Sequence, residues 1–139
     1  MWINNNKTDC KLDIYDFYVA KKIIDNYTIK TPLLKINGLS NKYNKLVLLK
    51  DETIQNGESF KIRGVSWCVW NAFKQIKNKN TTLITQSTGN HAIATIMSIR
   101  KIIENNMDNE LFTSVIPVIY GSADIKDSKK KKILLFELP

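Results

Sequence analysis

A chain of 139 residues has room for one compact domain or two small lobes. Its 43% hydrophobic and 24% charged residues exclude a wholly disordered chain, and three prolines with five glycines exclude a collagen-like one. The net charge of +8 comes from nineteen lysines and only two arginines. A selected phosphate-binding surface uses the planar fork of arginine as well, so this excess points to a solvated lysine face and away from nucleic acid.

No apolar run approaches the ~20 residues of a membrane span. The stretch from Met1 to Asp13 is rich in Asn and acid, without the apolar core of a secretion signal. Cys10 and Cys68 are too few for a disulfide framework and lack metal-ligand spacing, so the expectation is a soluble cytoplasmic protein with no metal and no membrane contact.

In chain order, residues 13–27 predict a helix with Asp13 as N-cap and Ile14, Phe17, Tyr18 and Ile24 near one stripe. Thr31-Pro32 stops it, because proline forces its predecessor into extended geometry. Leu33 to Ile36 reads as a short strand, and residues 45–50 as a buried one. Residues 51–58 form a loop containing Gly57. From Ser59, a plausible N-cap, to Ile76 the apolar residues return to helical spacing. After the polar break at Asn78 to Asn80, Thr82 to Thr85 reads as a strand, followed by a turn and a helix carrying Ile93, Ile96, Met97, Ile99, Ile103 and Met107. A strand over Phe112 to Tyr120 interrupted by Pro117, a charged helix over Asp124 to Lys132 and a last strand over Ile133 to Leu138 complete the chain. Alternating strands and helices predict an α/β fold, a parallel sheet with flanking helices.

Two segments are chemically suggestive. In Ser59-Phe60-Lys61-Ile62-Arg63-Gly64, a lysine at the start of a helix feels the positive end of the helix dipole. Partial burial beside Phe60 would act in the same direction. Both favour the neutral amine that a Schiff base to an aldehyde cofactor requires. In Ser87-Thr88-Gly89-Asn90-His91, a strand end meets a helix start, two hydroxyls and an amide converge, and Gly89 permits close approach to a ligand. Each segment alone has an ordinary structural alternative: a solvated lysine, and a capped turn in which His91 is a hydrogen-bonded packing residue.

Together, Lys50-Asp51-Glu52, Gln55, Ser59 to Gly64, and Ser87 to His91, which begins 26 residues after Lys61, resemble the serine/threonine dehydratase family. These are pyridoxal-phosphate enzymes of the tryptophan-synthase β-subunit fold, and serine racemase belongs with them. Thr31-Pro32-Leu33 and the strand Leu46 to Lys50 match in order and distance. The resemblance implies a pyridoxal-phosphate-dependent β-elimination of serine or threonine to a 2-oxo acid and ammonia. Lys61 would hold the cofactor and abstract the α-proton. Phe60 would pack on the pyridine ring and Asn90 would bind its 3′-oxygen. Ser87, Thr88, Gly89, Asn90 and His91 would bind substrate. Residues 1–78 would be a partial larger lobe with the cofactor lysine, and residues 79–139 a partial smaller lobe with the substrate turn.

The chain departs from the family in several places. Gly57-Glu58 stands where the family has Thr-Gly, and Thr88 stands where its racemases carry a serine, which favours elimination over racemisation. The glycines at 38, 57, 64, 89 and 121 form no cluster resembling the family's phosphate loop, so the expected architecture is a truncated one whose activity alone is in doubt. Two alternatives stay open: a non-catalytic remnant that binds a homo-oligomeric or complementing chain through exposed sheet, and a basic nucleic-acid module using Lys126 to Lys132.

Overall fold

The computed structural model describes residues 12–122 and 126–134. Helix α1 spans Ile14–Ile24 and opens on a capping box. Asp13 accepts from the N–H groups of Tyr15 (2.8 Å) and Asp16 (3.1 Å), while the Asp16 carboxylate accepts from the Asp13 N–H (2.9 Å). The cap is where the sequence puts it, but the stripe is not a core face. No α1 residue is buried, and Ile14, Phe17 and Tyr18 are 60–71% exposed.

Strands β1 (Leu33–Lys35) and β2 (Leu48–Lys50) pair antiparallel, with Leu33 opposite Lys50. Helix α2 (Asn37–Tyr43), absent from the sequence reading, returns the chain between them and ends at Asn44 in left-handed geometry (φ 48°). The expectation of a buried strand at 45–50 is therefore corrected. The pair is two-stranded, every residue in it is exposed, and among the described residues no layer covers either face.

A 3₁₀ turn at Asn56–Glu58 leads into α3 (Lys61–Lys74). Gly57 (φ 71°) and Glu58 (φ 54°) are both left-handed, a geometry that costs a side chain about 1–2 kcal/mol. An added Cβ on Gly57 would stand 3.3 Å from Met97 Sδ, so the glycine also lets the turn approach the later helix over Asn90–Glu104.

The core lies between α3 and α4 (Asn90–Glu104). Ile62, Val65, Val69 and Phe73 from α3 meet Ala94, Ile99, Ile102 and Ile103 from α4, joined by Tyr27 and Val115. Ser66 and Ser98, both fully buried, share a hydrogen bond of 3.0 Å across the helix pair. Each is also satisfied within its own helix by a carbonyl, Ile62 (2.6 Å) and Ala94 (2.8 Å) respectively.

Strands β3 (Thr82–Gln86) and β4 (Ile116–Tyr120) pair in parallel from Thr82–Ile116 to Gln86–Tyr120. This supplies the parallel element of the α/β fold; the β1–β2 pair does not. Residues 112 and 113 are not strand, because Asn109 caps a short helix α5 (Glu110–Thr113), accepting from the N–H groups of Leu111 and Phe112. Phe112 meets Phe73 edge to face at 5.0 Å. Pro117 sits within β4 rather than interrupting it.

Met107 lies beyond α4 and is 64% exposed, so it is not part of that helix's apolar face. Helix α6 (Asp127–Leu134) takes in Ile133 and Leu134, which the sequence reads as strand; residues 135–138 of that expected strand lie outside the described residues, as do 124 and 125 of the charged helix. Among the described residues no helix is long and apolar enough to cross a membrane.

Candidate active site

Lys61 is the first residue of α3. Ser59, extended at φ −164°, accepts the Lys61 N–H on Oγ at 3.2 Å, the work of an N-cap, and Phe60 is already helical (φ −62°). The lysine thus stands at the positive end of the helix dipole, as its sequence position implies. Burial beside Phe60 is not found. The Phe60 ring is 60% exposed and Lys61 is exposed, with Nζ 4.9 Å from the ring centroid. The two side chains stack on each other in the open.

An open cleft of about 310 Å³ is lined by Phe60, Lys61, Gly64, Val65, Cys68 and His91. Gly64 and Cys68 lie three and seven residues beyond Lys61, which is one helical face. The cysteine count alone hides that relation, while the helical spacing exposes it. His91 enters from α4, thirty residues away in sequence. Its Nε2 hydrogen-bonds Thr85 Oγ1 at 3.1 Å, so the end of β3 holds the ring.

The turn before α4 is built by Ser87. Its Oγ accepts from Gly89 N–H and Ala92 N–H, each at 3.2 Å, and its own N–H donates to the Tyr120 carbonyl at 2.9 Å. Ser87, Thr88 and Gly89 are half-buried, and Asn90 is exposed as the first residue of α4. The turn therefore occupies the carboxyl ends of the parallel pair, where open α/β sheets bind ligands. Gly121 packs on it, with room for a Cβ only 3.7 Å from the Ser87 carbonyl and the Thr88 methyl. Of the five turn residues only His91 lines the cleft with Lys61; Ser87, Thr88, Gly89 and Asn90 do not line it.

On the side of α3 away from the cleft, Glu52 is gripped by Arg63 through two bonds, Nε to Oε2 at 2.9 Å and Nη2 to Oε1 at 2.7 Å. The Arg63 guanidinium, aided by the Thr31 hydroxyl, holds the Glu52 carboxyl down from an ordinary 4.5 to about 2. Asp51 is also lowered, by hydrogen bonds from the Thr53 hydroxyl and N–H.

The pyridoxal-phosphate dependent enzyme family matches residues 24–102, more than half of the chain and the span holding both motifs. The chain belongs to that family. It is 37% identical over 87 residues to a biosynthetic L-threonine dehydratase of Halalkalibacterium halodurans, covering 59% of this chain and 19% of that protein. It is 31% identical over 86 residues to a serine racemase of Oryza sativa subsp. indica, covering 62% and 25%. The fold is that of a pyridoxal 5′-phosphate-dependent aspartate racemase (TM-score 0.74, 17% identity, 93% of this chain and 37% of that one) and of maize serine racemase (TM-score 0.70, 23% identity, 91% and 35%). The chain thus spans about a fifth to a quarter of the length of the curated relatives it matches.

The residues present fit the aldehyde and ring end of the family's cofactor. A primary amine and an aromatic face border one cleft of about 310 Å³, and an imidazole lines it with them. Among the described residues no cluster of three or more His, Cys, Asp or Glu could hold a metal ion.

Proposed function

We propose that this chain carries the cofactor-lysine part of a dehydratase-type site, acting in β-elimination on a hydroxy amino acid such as serine or threonine. The observation that carries the reading is the meeting of Lys61 and His91 in one cleft, although thirty residues separate them. Lys61 would hold the carbonyl carbon of pyridoxal phosphate, with Phe60 beside the ring and Asn90 toward its 3′-oxygen. The bound cofactor supplies an electron sink for charge at the substrate α-carbon.

The remaining work falls to the chain. With the cofactor bound, the Lys61 amine would take the substrate α-proton on Nζ. The hydroxyls of Ser87 and Thr88, with Gly89 and Asn90, orient the substrate carboxylate at the strand ends. His91, held by Thr85, would border the substrate from α4. In this reading residues 1–78 belong to a larger lobe and 79–139 to a smaller one, meeting along α3 and α4.

A second reading is favoured by the exposed apolar residues of α1, β1 and β2. In it the chain binds a second copy or a complementing chain through that surface, without turnover of its own.

One experiment separates the two. The chain is incubated with pyridoxal phosphate, reduced with borohydride, and the modified lysine mapped by mass spectrometry, with ammonia release from serine and threonine measured in parallel. Label concentrated on Lys61, with ammonia released, supports the enzyme. Label spread over the nineteen lysines with no ammonia overturns it.

A further inference from the structure

We propose that Arg63 and Glu52 are positioning residues for Lys61. With Thr31 and Gln55 they form a polar clasp that holds the first turn of α3 against the backbone of residues 29–31, and so fixes where the lysine enters the cleft. The purpose of the clasp rests on the cofactor-lysine reading above; its existence rests on hydrogen bonds alone.

Both oxygens of Glu52 are engaged. Oε1 accepts from Arg63 Nη2 (2.7 Å) and Thr31 Oγ1 (2.6 Å), and Oε2 from Arg63 Nε (2.9 Å) and Gln55 Nε2 (3.4 Å). Arg63 Nη2 also reaches the Ile29 carbonyl (3.3 Å) and Thr31 Oγ1 (3.4 Å). Gln55 binds Ile29 as a neighbouring strand would, accepting its N–H and donating to its carbonyl, each at 2.9 Å. Lys50 Nζ donates to the Thr31 carbonyl at 2.5 Å. Gln55 and Thr31 are each 3% exposed, the Glu52 side chain 14% and the Arg63 side chain 31%. This is not a solvated surface pair. A forked, multiply bonded and part-buried ion pair has the geometric specificity that a single exposed contact lacks.

The placement explains what the clasp does. Residues 61 and 63 are separated by about 200° around a helix axis, so Arg63 is tied down on the side opposite Lys61. The later turns of α3 are locked by burial of Val65, Val69 and Phe73. At the helix start Phe60, Lys61 and Gly64 are exposed, and Ile62 alone is buried among residues 60, 61, 62 and 64. The clasp adds a second anchor, opposing rotation of that turn about Ile62. Such rotation matters because a misplacement of about 1 Å at a reacting group costs on the order of a hundredfold in rate.

The test uses the full chain and the variants Glu52→Gln, Arg63→Lys and Arg63→Gln, with two readouts. The first is amide hydrogen exchange resolved at residues 60–64 and in α4. The second is the fraction of borohydride-fixed pyridoxal phosphate found on Lys61. Exchange at 60–64 should quicken at least tenfold with α4 unchanged, and the Lys61 fraction should fall at least fivefold, in Arg63→Lys as well because lysine lacks the fork. Unchanged exchange at 60–64 overturns the clasp, and so does a rise shared equally by α3 and α4, which is general destabilisation. Unchanged Lys61 labelling despite local loosening overturns the positioning role. If the parent chain itself does not take label on Lys61, the cofactor reading fails and exchange alone decides whether the clasp holds the turn. Should Glu52→Gln fail to fold, Arg63→Lys and Gln55→Ala carry both readouts.

Discussion

The two halves of this chain are held by different physics. From α3 onward, apolar burial dominates: nine residues of α4 are buried, and Phe73 is wholly enclosed. Before α3, α1 buries nothing and both residues of the leucine pair in each of β1 and β2 are more than 40% exposed. That half is joined to α3 by Arg63, which bonds Glu52, the Ile29 carbonyl and Thr31, while Asn56 Nδ2 donating to the Tyr27 carbonyl at 2.6 Å ties the half together internally. Tyr27 itself is its main apolar foothold in the core. Leucine and isoleucine are plentiful in both halves, so composition does not decide which half is packed. The presence of an opposing layer does.

The contrast predicts unequal responses to mutation. The largest effect belongs to the packed half. Phe73→Ala removes a fully buried ring and its edge-to-face partner Phe112, and should lower unfolding free energy by about 3–5 kcal/mol in urea titration. Loss of β1–β2 contacts without loss of α3 and α4 would show that the division between halves is misdrawn.

The clasp should be the intermediate case and the one that depends on pH. The Glu52 carboxyl is held at about 2 in the folded chain against an ordinary 4.5. Its stabilising contribution is therefore complete above about pH 4.5 and is lost as pH falls through about 2. Glu52→Gln should cost about 1–3 kcal/mol at neutral pH and flatten that part of the stability–pH curve. A curve equally steep in the variant would assign the acid sensitivity to other carboxylates.

The smallest effect is expected at the exposed start of α1, whose footing on the core is the partly buried Ile23 near its other end. Asp13→Ala breaks the capping box of a helix that buries nothing, so it should cost about 0.5–1 kcal/mol locally, seen as lost helical circular dichroism. The urea midpoint of the α3–α4 core should stay put.

Much of this was legible in the chain itself. Asp13, standing just ahead of the helical apolar spacing, marks the start of α1. Helical spacing from Ile62 to Phe73 marks the face that α3 buries. The motif around Lys61 and the turn from Ser87 to His91 signal the family before any coordinates. Other features escaped for identifiable reasons. Helix α2, NGLSNKY, is polar, glycine-containing and without a stripe, so no period reveals it. Phe112 reads as strand because it is apolar and adjoins one, yet Asn109 captures its N–H for a helical turn. Glu52 and Arg63 both stand in the motif around Lys61, but their pairing across eleven residues of turn and helix has no sequence period.

What the residues determined unaided is local and periodic: caps, apolar faces, and chemical groups at fixed spacing, because these follow from backbone geometry within a few residues. Only the tertiary structure decided which apolar faces find a partner, that Lys61 and His91 share a cleft while Asn90 does not line it, and that Arg63 closes on Glu52. Each of those depends on chain segments folded together from a distance, where burial and charge pairing, rather than neighbouring residues, set the outcome.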